Sequence, residues 1–279
     1  MNTILVAILV LGGIGILGAV VLYVVARKFK VEEDPRIDEI EGLLPGANCG
    51  ACGYSGCRGF SAACVKASSL ANLVCPASGN EVMKQIADIV GLAPAGNKPR
   101  IAVLKCNGTC AARTPGARYE GPKSCAVEAT LGAGGSSCPF GCLGCGDCTT
   151  VCPYDAIHMD SATGLPVVDS DKCTGCGICV KTCPRRLLEL RLKGPRGLRV
   201  WVACSNTEKG GVARKECAAA CIGCGKCLRQ CTHEAITLAG NLAYIDSEKC
   251  RLCGKCVDAC PTGAILSTLP KKKNEEAHV

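Results

Sequence analysis

The chain has 279 residues, of which 27 are cysteine and only 3% are aromatic, and its formal net charge is +8 at pH 7. Aromatic side chains are too few to build the core, and cysteine at this density indicates either a disulfide framework or many metal sites. The positive charge accompanies no recognised nucleic-acid-binding motif and no aromatic stacking platform, which argues against nucleic acid as a partner.

The first predicted element is a transmembrane helix. Residues 4–26 contain no charge and are long enough to cross a bilayer core of about 30 Å as a helix. A secretory signal would begin with basic residues, whereas Arg27, Lys28 and Lys30 follow the apolar segment. The positive-inside rule therefore predicts a single-pass protein of the cytoplasmic membrane with its cysteines in the cytoplasm. Because that compartment is reducing, the thiols are predicted to bind metal.

Two short amphipathic helices are predicted after the membrane segment. Ile37, Ile40 and Leu44 recur at helical spacing, and the pattern stops at Pro45-Gly46. Residues 81–92 repeat helical spacing, and residues 93–99 are typical of a linker. A small domain is therefore predicted over residues 31–95.

The sequence LPGANCGACGYSGC lies between these two helices and places cysteines at C-x2-C-x4-C among several glycines. Glycine lets the backbone approach a metal cluster closely and aim its N–H groups at the sulfurs. The motif supplies three ligands, Cys49, Cys52 and Cys57, and requires a fourth from elsewhere.

The rest of the chain contains an internal repeat. Residues 142–157 match residues 221–236, and residues 173–184 match residues 250–265 in the same order. This order is what a duplicated module produces.

A predicted strand ending in a cysteine precedes each half of the repeat, at residues 101–106 and 200–204. Residues 100–198 and 199–269 are therefore predicted to be two copies of one module, and the first copy carries an insertion. Residues 270–279 are predicted to be a disordered tail.

Each module contains two sequences of the type C-x2-C-x2-C-x3-C. In bacterial two-cluster ferredoxins the first three cysteines of such a motif bind one [4Fe–4S] cluster, and the fourth binds the other cluster of the pair. Zinc ribbons separate their C-x2-C pairs by a longer loop, which makes zinc the weaker alternative. Three of the predicted ligand sets are Cys152, Cys173, Cys176 and Cys179; Cys221, Cys224, Cys227 and Cys260; and Cys231, Cys250, Cys253 and Cys256.

The paired motifs resemble bacterial two-cluster ferredoxins over about residues 138–266. With LPGANCGACGYSGC behind a membrane helix, nearly the whole chain is similar to the B subunit of the Rnf complex, a membrane-bound ferredoxin:NAD+ oxidoreductase that couples electron flow to ion pumping. The resemblance implies an α+β fold with a single N-terminal transmembrane helix, a small [4Fe–4S] domain and two ferredoxin-like modules. It also implies an electron-transfer subunit that is reduced by ferredoxin, while sister membrane and peripheral subunits reduce NAD+ and translocate ions.

The resemblance supplies the fourth ligand of the N-terminal motif. In the family a cysteine follows after about seventeen residues, which corresponds here to Cys75. Cys64 is nearer but breaks the family spacing. The implied set is Cys49, Cys52, Cys57 and Cys75.

The resemblance also leaves one ligand of the first module open. The family commonly uses C-x3-C-x5-C-x3-C there, which selects Cys138, whereas simple ferredoxin spacing selects Cys145. Cys138 is preferred on family grounds, with Cys145 as the alternative. The predicted set is Cys138, Cys142, Cys148 and Cys183, and it brings the total to about five clusters.

Seven cysteines remain outside these sets. They are interpreted as small inert thiols. The alternative is that Cys106, Cys110 and Cys125 join Cys138 or another cysteine in a sixth cluster, although their spacing matches no known motif. The seven are Cys64, Cys106, Cys110, Cys125, Cys145, Cys204 and Cys217.

Basic residues are concentrated in residues 184–200. A solvated surface is the simple interpretation, and a docking face for acidic ferredoxin is the functional one, because such a field accelerates encounter. The candidate docking residues are Arg185, Arg186, Arg191 and Arg196.

Two other functions are compatible with these motifs. The chain could be a membrane-anchored polyferredoxin that serves a different redox complex, or it could be a non-catalytic iron–sulfur scaffold or sensor. No nucleotide-binding loop is recognisable, and no catalytic acid, base or nucleophile is required on this chain.

Overall fold

A computed structural model describes residues 3–28, 33–94, 96, 98–117, 119–132 and 134–270. The chain begins with the 26-residue helix α1 (Thr3–Lys28), whose large apolar side chains from Leu9 to Val25 are exposed. Measured over the described part of the chain, no helix reaches the length and hydropathy of a membrane span. Lys30 and the predicted tail from residue 271 onward lie outside the described residues.

Three helices form the small domain that follows. They are α2 (Arg36–Leu43), α3 (Cys57–Lys66) and α4 (Asn80–Val90). Ile40 on α2, Phe60 on α3 and Ile86 on α4 are fully buried against one another in a single apolar core. The two helices predicted from apolar spacing are therefore confirmed, and α4 ends at Gly91 in the left-handed conformation (φ 70°).

The first repeated segment places three short helices and a hairpin between two outer strands. β1 pairs antiparallel with β4, from Arg100 opposite Leu192 to Leu104 opposite Leu188, and β2 pairs with β3. The elements are β1 (Arg100–Leu104), α5 (Cys125–Leu131), α6 (Asp147–Thr150), β2 (Ile157–Asp160), β3 (Leu165–Val168), α7 (Ile178–Thr182) and β4 (Leu188–Leu192).

The second segment has the same topology. β5 pairs antiparallel with β8, from Val200 opposite Ser267 to Val202 opposite Ile265, and β6 pairs with β7. The elements are β5 (Val200–Val202), α8 (Gly210–Glu216), α9 (Lys226–Gln230), β6 (Ile236–Ala239), β7 (Leu242–Ile245), α10 (Lys255–Asp258) and β8 (Ile265–Ser267). The strands predicted before Cys106 and Cys204 are β1 and β5.

Hydrogen bonds join the two modules along a shared interface. The Trp201 indole N–H donates to the Leu104 carbonyl at 2.9 Å, and the Thr114 hydroxyl donates to the Lys215 carbonyl at 2.6 Å. The Ser205 hydroxyl donates to the Lys105 carbonyl at 3.0 Å. Residues far apart in the sequence are thereby held at one junction.

Arg191 belongs to this junction, and its predicted role in docking is wrong. Its side chain is only 3% exposed, and its guanidinium donates to the carbonyl groups of Val200 and Ile245 in the second module. Its Nε lies 3.2 Å from a carboxylate oxygen of Glu189, and its Cζ lies 5.0 Å from the centroid of the Tyr244 ring. A buried arginine with these partners joins the two modules and offers little exposed charge to a docking protein.

Candidate iron–sulfur sites

The four C-x2-C-x2-C loops have one shared backbone geometry. Each loop turns at two residues in the left-handed conformation, with φ between 56° and 89°, a region that glycine enters at little cost. A short helix starts directly after the second of these residues and carries the third cysteine of the motif. The residue pairs are Gly144 and Gly146, Gly175 and Gly177, Gly223 and Gly225, and Leu252 and Gly254.

In three of the four motifs the fourth cysteine receives backbone hydrogen bonds from residues just beyond it. The N–H of Ala156 donates to the Cys152 sulfur, and the N–H of Leu187 donates to the Cys183 sulfur, each at 3.4 Å. Burial acts to raise the pKa of Cys260, but hydrogen bonds from residues 262–265 outweigh it and lower the pKa. Such donors stabilise a thiolate, which is the form that binds iron.

All four predicted cysteines of the set that begins with Cys221 line one cavity, which we call site 4. The cavity has a volume of about 350 Å³ and is formed by the Cys221 loop, α9 and the segment after Cys260. Cys260 reaches it from the neighbouring motif, as the crossed arrangement of two-cluster ferredoxins requires. Site 4 consists of Cys221, Cys224, Cys227 and Cys260.

The companion set in the second module, site 5, also has neighbouring thiols. Burial, together with the negative charges of Cys250 and Cys253, raises the pKa of Cys256 to about 12. Burial likewise raises the pKa of Cys250, with contributions from Cys253 and Cys231. The structure therefore brings together Cys231, Cys250, Cys253 and Cys256.

Site 3 in the first module has the corresponding arrangement. Burial raises the pKa of Cys179 to about 12, and the nearby thiols of Cys173, Cys176 and Cys152 add to that shift. The predicted members Cys152, Cys173, Cys176 and Cys179 are thus neighbours.

Site 2 departs from the predicted ligand set. A cavity of about 420 Å³ is lined by Cys142, Cys148 and Cys183, as expected, but its fourth cysteine is Cys125 at the start of α5. The Cys145 thiol instead donates to the carboxylate of Glu128 at 2.8 Å. Spacing gave no signal for Cys125, because it lies in the insertion.

Cys138 lies in a different cavity, of about 400 Å³, between the two modules. Its sulfur accepts a hydrogen bond from the Asn206 side chain of the second module at 3.6 Å. We call this space the bridging cavity. Five cysteines line it: Cys142, which also lines site 2, and four that line neither site 2 nor site 4, Cys106, Cys138, Cys204 and Cys217.

Site 1 lies in the small domain, where Cys52, Cys57 and Cys75 pack against its core. The N–H of Cys57, the first residue of α3, donates to the Asn48 side chain at 2.8 Å and fixes the start of the helix. Cys64 is fully buried, and burial raises its pKa to about 11, with the nearby Cys52 and Cys75 adding to the shift.

Site 1 faces the first ferredoxin-like module. Burial raises the pKa of Cys176 in site 3, and the charge of Cys49 contributes to that shift. The Tyr154 hydroxyl lies between the domains, and its pKa is raised to about 12 by burial and then by Cys49 and Cys176. The small domain therefore adjoins site 3.

These surroundings fit iron–sulfur clusters. All 27 cysteines are free thiols, and the cavity walls are apolar, with Leu104, Met159 and Leu188 at site 2. No group of three or more His, Cys, Asp or Glu side chains in the described ranges is arranged to hold a single metal ion.

The remaining basic candidates differ in exposure. Arg186 and Arg196 are exposed. Arg185 is half-buried, and its guanidinium donates to the carbonyls of Gly141 at 2.6 Å and Gly132 at 3.0 Å. The exposed basic face is therefore smaller than the sequence indicated.

The repeated loops, crossed cysteines and apolar cavities define an iron–sulfur protein of the two-cluster ferredoxin type. Models of a 4Fe-4S dicluster domain match residues 140–190, 172–235 and 220–264, and a model of an Fe-S cluster domain matches residues 44–72.

Three curated relatives cover nearly the whole chain. The B subunit of the Na+-translocating ferredoxin:NAD+ oxidoreductase complex of Acetobacterium woodii is 42% identical over 95% of this chain and 78% of its own length. The proton-translocating counterpart of Clostridium ljungdahlii is 37% identical over 99% of both chains. The B subunit of the ion-translocating oxidoreductase complex of Methanosarcina acetivorans is 37% identical over 93% of this chain and 96% of its own length. The chain belongs to the family of B subunits of the ion-translocating Rnf complexes.

Proposed function

We propose that this chain is the electron-transfer subunit of an ion-translocating ferredoxin:NAD+ oxidoreductase and that it takes electrons from reduced ferredoxin. The observation that carries the proposal is site 4, where four cysteines from two motifs line one cavity of a duplicated two-cluster module. The full-length similarity to subunits of such complexes supports it.

The proposed ligand sets follow the five sites. Site 1 uses Cys49, Cys52, Cys57 and Cys75. Site 2 uses Cys142, Cys148 and Cys183, with Cys125 in place of Cys138 because Cys125 lines that cavity. Sites 3, 4 and 5 use the twelve cysteines expected from spacing.

When bound, a [4Fe–4S] cluster accepts and releases one electron at a potential that its surroundings set. The thiolates hold the iron, and backbone N–H groups such as that of Leu187 stabilise the negative sulfur. Apolar side chains around the sites exclude water, which also tunes the potential. This chain therefore positions redox groups and contributes no acid, base or nucleophile.

The order of the sites follows from which cysteines are neighbours. Cys49 of site 1 lies near Cys176 of site 3, and Cys148 of site 2 lies near Cys179 of site 3. In the second module Cys227 of site 4 lies near Cys256 of site 5. We infer the order 1, 3, 2 in one half and 4, 5 in the other.

Helix α1 is proposed to anchor the chain in the cytoplasmic membrane with sites 1–5 in the cytoplasm. Its exposed apolar side chains and the basic residues Arg27 and Lys28 in its last turn support this. Deleting residues 1–28 is expected to release the chain from carbonate-washed membranes. A truncated chain that still resists the wash would contradict the anchor.

Ferredoxin is proposed to approach a surface groove that contains basic residues. Lys105, Arg185 and Arg186 line the groove, which reaches Cys204. A positive surface attracts the acidic surface expected of ferredoxin and accelerates encounter.

The test is anaerobic purification of the whole complex, followed by iron and sulfide analysis and reduction with ferredoxin. We expect about 20 or more irons per chain with equal sulfide, iron–sulfur signals that appear on reduction, and NAD+-reducing subunits in the same preparation. Zinc without sulfide would overturn electron transfer. Iron–sulfur signals without NAD+-reducing partners would favour a polyferredoxin of another complex.

A further inference from the structure

The bridging cavity is lined by four cysteines that sites 1–5 do not use. Its empty space of about 400 Å³, part of it open to solvent, lies between the corresponding spaces of site 4, about 350 Å³, and site 2, about 420 Å³. Four thiols outside sites 1–5 therefore line a space similar to those of the two ferredoxin-type sites.

The two modules contribute to the bridging cavity equally. Cys106 follows β1 and Cys204 follows β5, the equivalent strand of the second copy. Cys138 and Cys217 each precede the first cysteine of a ferredoxin motif by four residues. Each module thus supplies one cysteine from the end of its first strand and one from the segment before its first motif.

Hydrogen-bond donors point at the sulfurs of this cavity. The N–H groups of Gly108 and Cys142 each donate to the Cys106 sulfur at 3.4 Å. The N–H groups of Cys221 and Asn206 donate to the Cys204 sulfur. Donors of this kind stabilise thiolates and accompany the cluster ligands of the other sites.

Gly108 lies close to two of the sulfurs that line the bridging cavity. A side-chain carbon added there would lie 3.4 Å from the Cys106 sulfur and 3.6 Å from the Cys217 sulfur. The backbone at Gly108 therefore passes within ordinary contact distance of two sulfurs, one from each module.

We propose that Cys106, Cys138, Cys204 and Cys217 bind a sixth [4Fe–4S] cluster that connects the two ferredoxin-like modules. This set differs from the sixth cluster considered from sequence, which grouped Cys106 with Cys110 and Cys125. It excludes Cys110, which is exposed and outside the cavity, and Cys125, which lines site 2.

The position of the cavity gives it a role that no other site has. Cys142 of site 2 also lines the bridging cavity, and its N–H contacts the Cys106 sulfur. On the other side, the N–H of Cys221 in site 4 donates to the Cys204 sulfur. The bridging site therefore joins the sites of the first module to those of the second, in the order 1, 3, 2, bridge, 4, 5.

The proposal is tested by counting iron and sulfide in the anaerobically reconstituted full-length chain. Six clusters give about 24 irons per chain, and five give about 20. The double variant Cys138→Ser with Cys217→Ser is expected to lose about four irons and an equal amount of sulfide. A redox titration followed by electron paramagnetic resonance should then show one signal fewer.

Cys110→Ser is the matched control, because this cysteine lies in the same module as Cys138 but does not line the cavity. It should retain about 24 irons. A wild-type count near 20, an unchanged double variant, or zinc in the cavity would each overturn the sixth cluster. If the double variant unfolds and loses all iron, the wild-type count decides. Absence of all iron and sulfide from the wild-type chain would instead contradict the proposed function itself.

Discussion

The two ferredoxin-like modules have the same topology, yet they fill their first cluster site differently. In the second module the plain C-x2-C-x2-C sequence supplies Cys221, Cys224 and Cys227 to the site 4 cavity. In the first module the middle cysteine, Cys145, is bonded to Glu128, and Cys125 lines the cavity. Motifs of equal spacing therefore place different cysteines around equivalent cavities when an inserted helix brings a further thiol to one of them.

Asp147 explains how the inserted helix is held there. Its carboxylate accepts hydrogen bonds from the Ser124 hydroxyl at 2.9 Å and the Ala126 N–H at 3.1 Å, which fixes the start of α5. Burial acts to raise the pKa of Asp147, but these hydrogen bonds outweigh it and lower the pKa. The second module has Lys226 at the equivalent position, where a carboxylate acceptor is lacking.

The largest expected effect is the loss of a whole cluster, and equivalent cysteine substitutions should cause it in one module but not in the other. Cys125→Ser should remove the cluster of site 2, about four irons, whereas Cys145→Ser should leave it in place. In the second module Cys224→Ser, at the position equivalent to Cys145, should remove the cluster of site 4. Iron analysis and electron paramagnetic resonance of the three variants provide the measurement. Loss of site 2 in Cys145→Ser with retention in Cys125→Ser would show that both modules use the ordinary motif.

The junction between the modules should be sensitive to Arg191. Replacing it with Met removes charged hydrogen bonds to the second module and the ion pair with Glu189, which keeps Lys105 and Tyr244 as partners, at a cost of about 3 kcal/mol. Iron–sulfur absorbance should therefore be lost at a clearly lower temperature than in the wild type. Arg186→Met is the control, because that arginine is exposed. Equal melting of both variants would mean that Arg191 does not stabilise the junction.

A smaller effect is expected when α5 is detached from the first module. Asp147→Asn weakens the hydrogen bonds at Ser124 and Ala126, so site 2 should lose iron to a chelator about tenfold faster, corresponding to about 1.4 kcal/mol. Lys226→Gln at the equivalent position should leave site 4 unchanged. If both variants lose iron at the wild-type rate, α5 does not depend on this carboxylate.

The smallest effect concerns the basic surface. Arg186→Glu combined with Arg196→Glu should slow reduction by ferredoxin a few-fold at low salt and flatten the dependence of the rate on ionic strength. Lys66→Glu combined with Lys84→Glu changes the charge equally on the small domain and should leave that dependence intact. Identical salt dependence in the two double variants would identify the basic surface as merely solvated.

Local sequence predicted those parts of the structure that neighbouring residues determine. Apolar spacing identified α2 and α4, and the ferredoxin motifs identified the cysteines around site 4, because each loop and its helix are built from consecutive residues. Exposure was not predictable for Arg191, since its partners at Val200 and Ile245 are brought to it by the fold.

The same limit applies to the unpredicted thiols. Cys125 reaches site 2 through an insertion with no recognisable motif, and Cys106 meets Cys217 only after two distant segments dock. Spacing cannot reveal a set whose members come from four separate segments. The internal repeat could have indicated this set, because Cys106 and Cys204 occupy equivalent positions in the two copies, as do Cys138 and Cys217.

That equivalence has a consequence for how the duplicated chain could have arisen. Because each copy supplies one half of the bridging cavity, a single ancestral module would present an incomplete pair of cysteines on its surface. Two identical modules related by a twofold axis would complete the set, since such an interface brings equivalent residues of both protomers together. Gene duplication and fusion would then have preserved an existing dimer contact. A symmetric pair of proteins would have become one asymmetric electron-transfer protein.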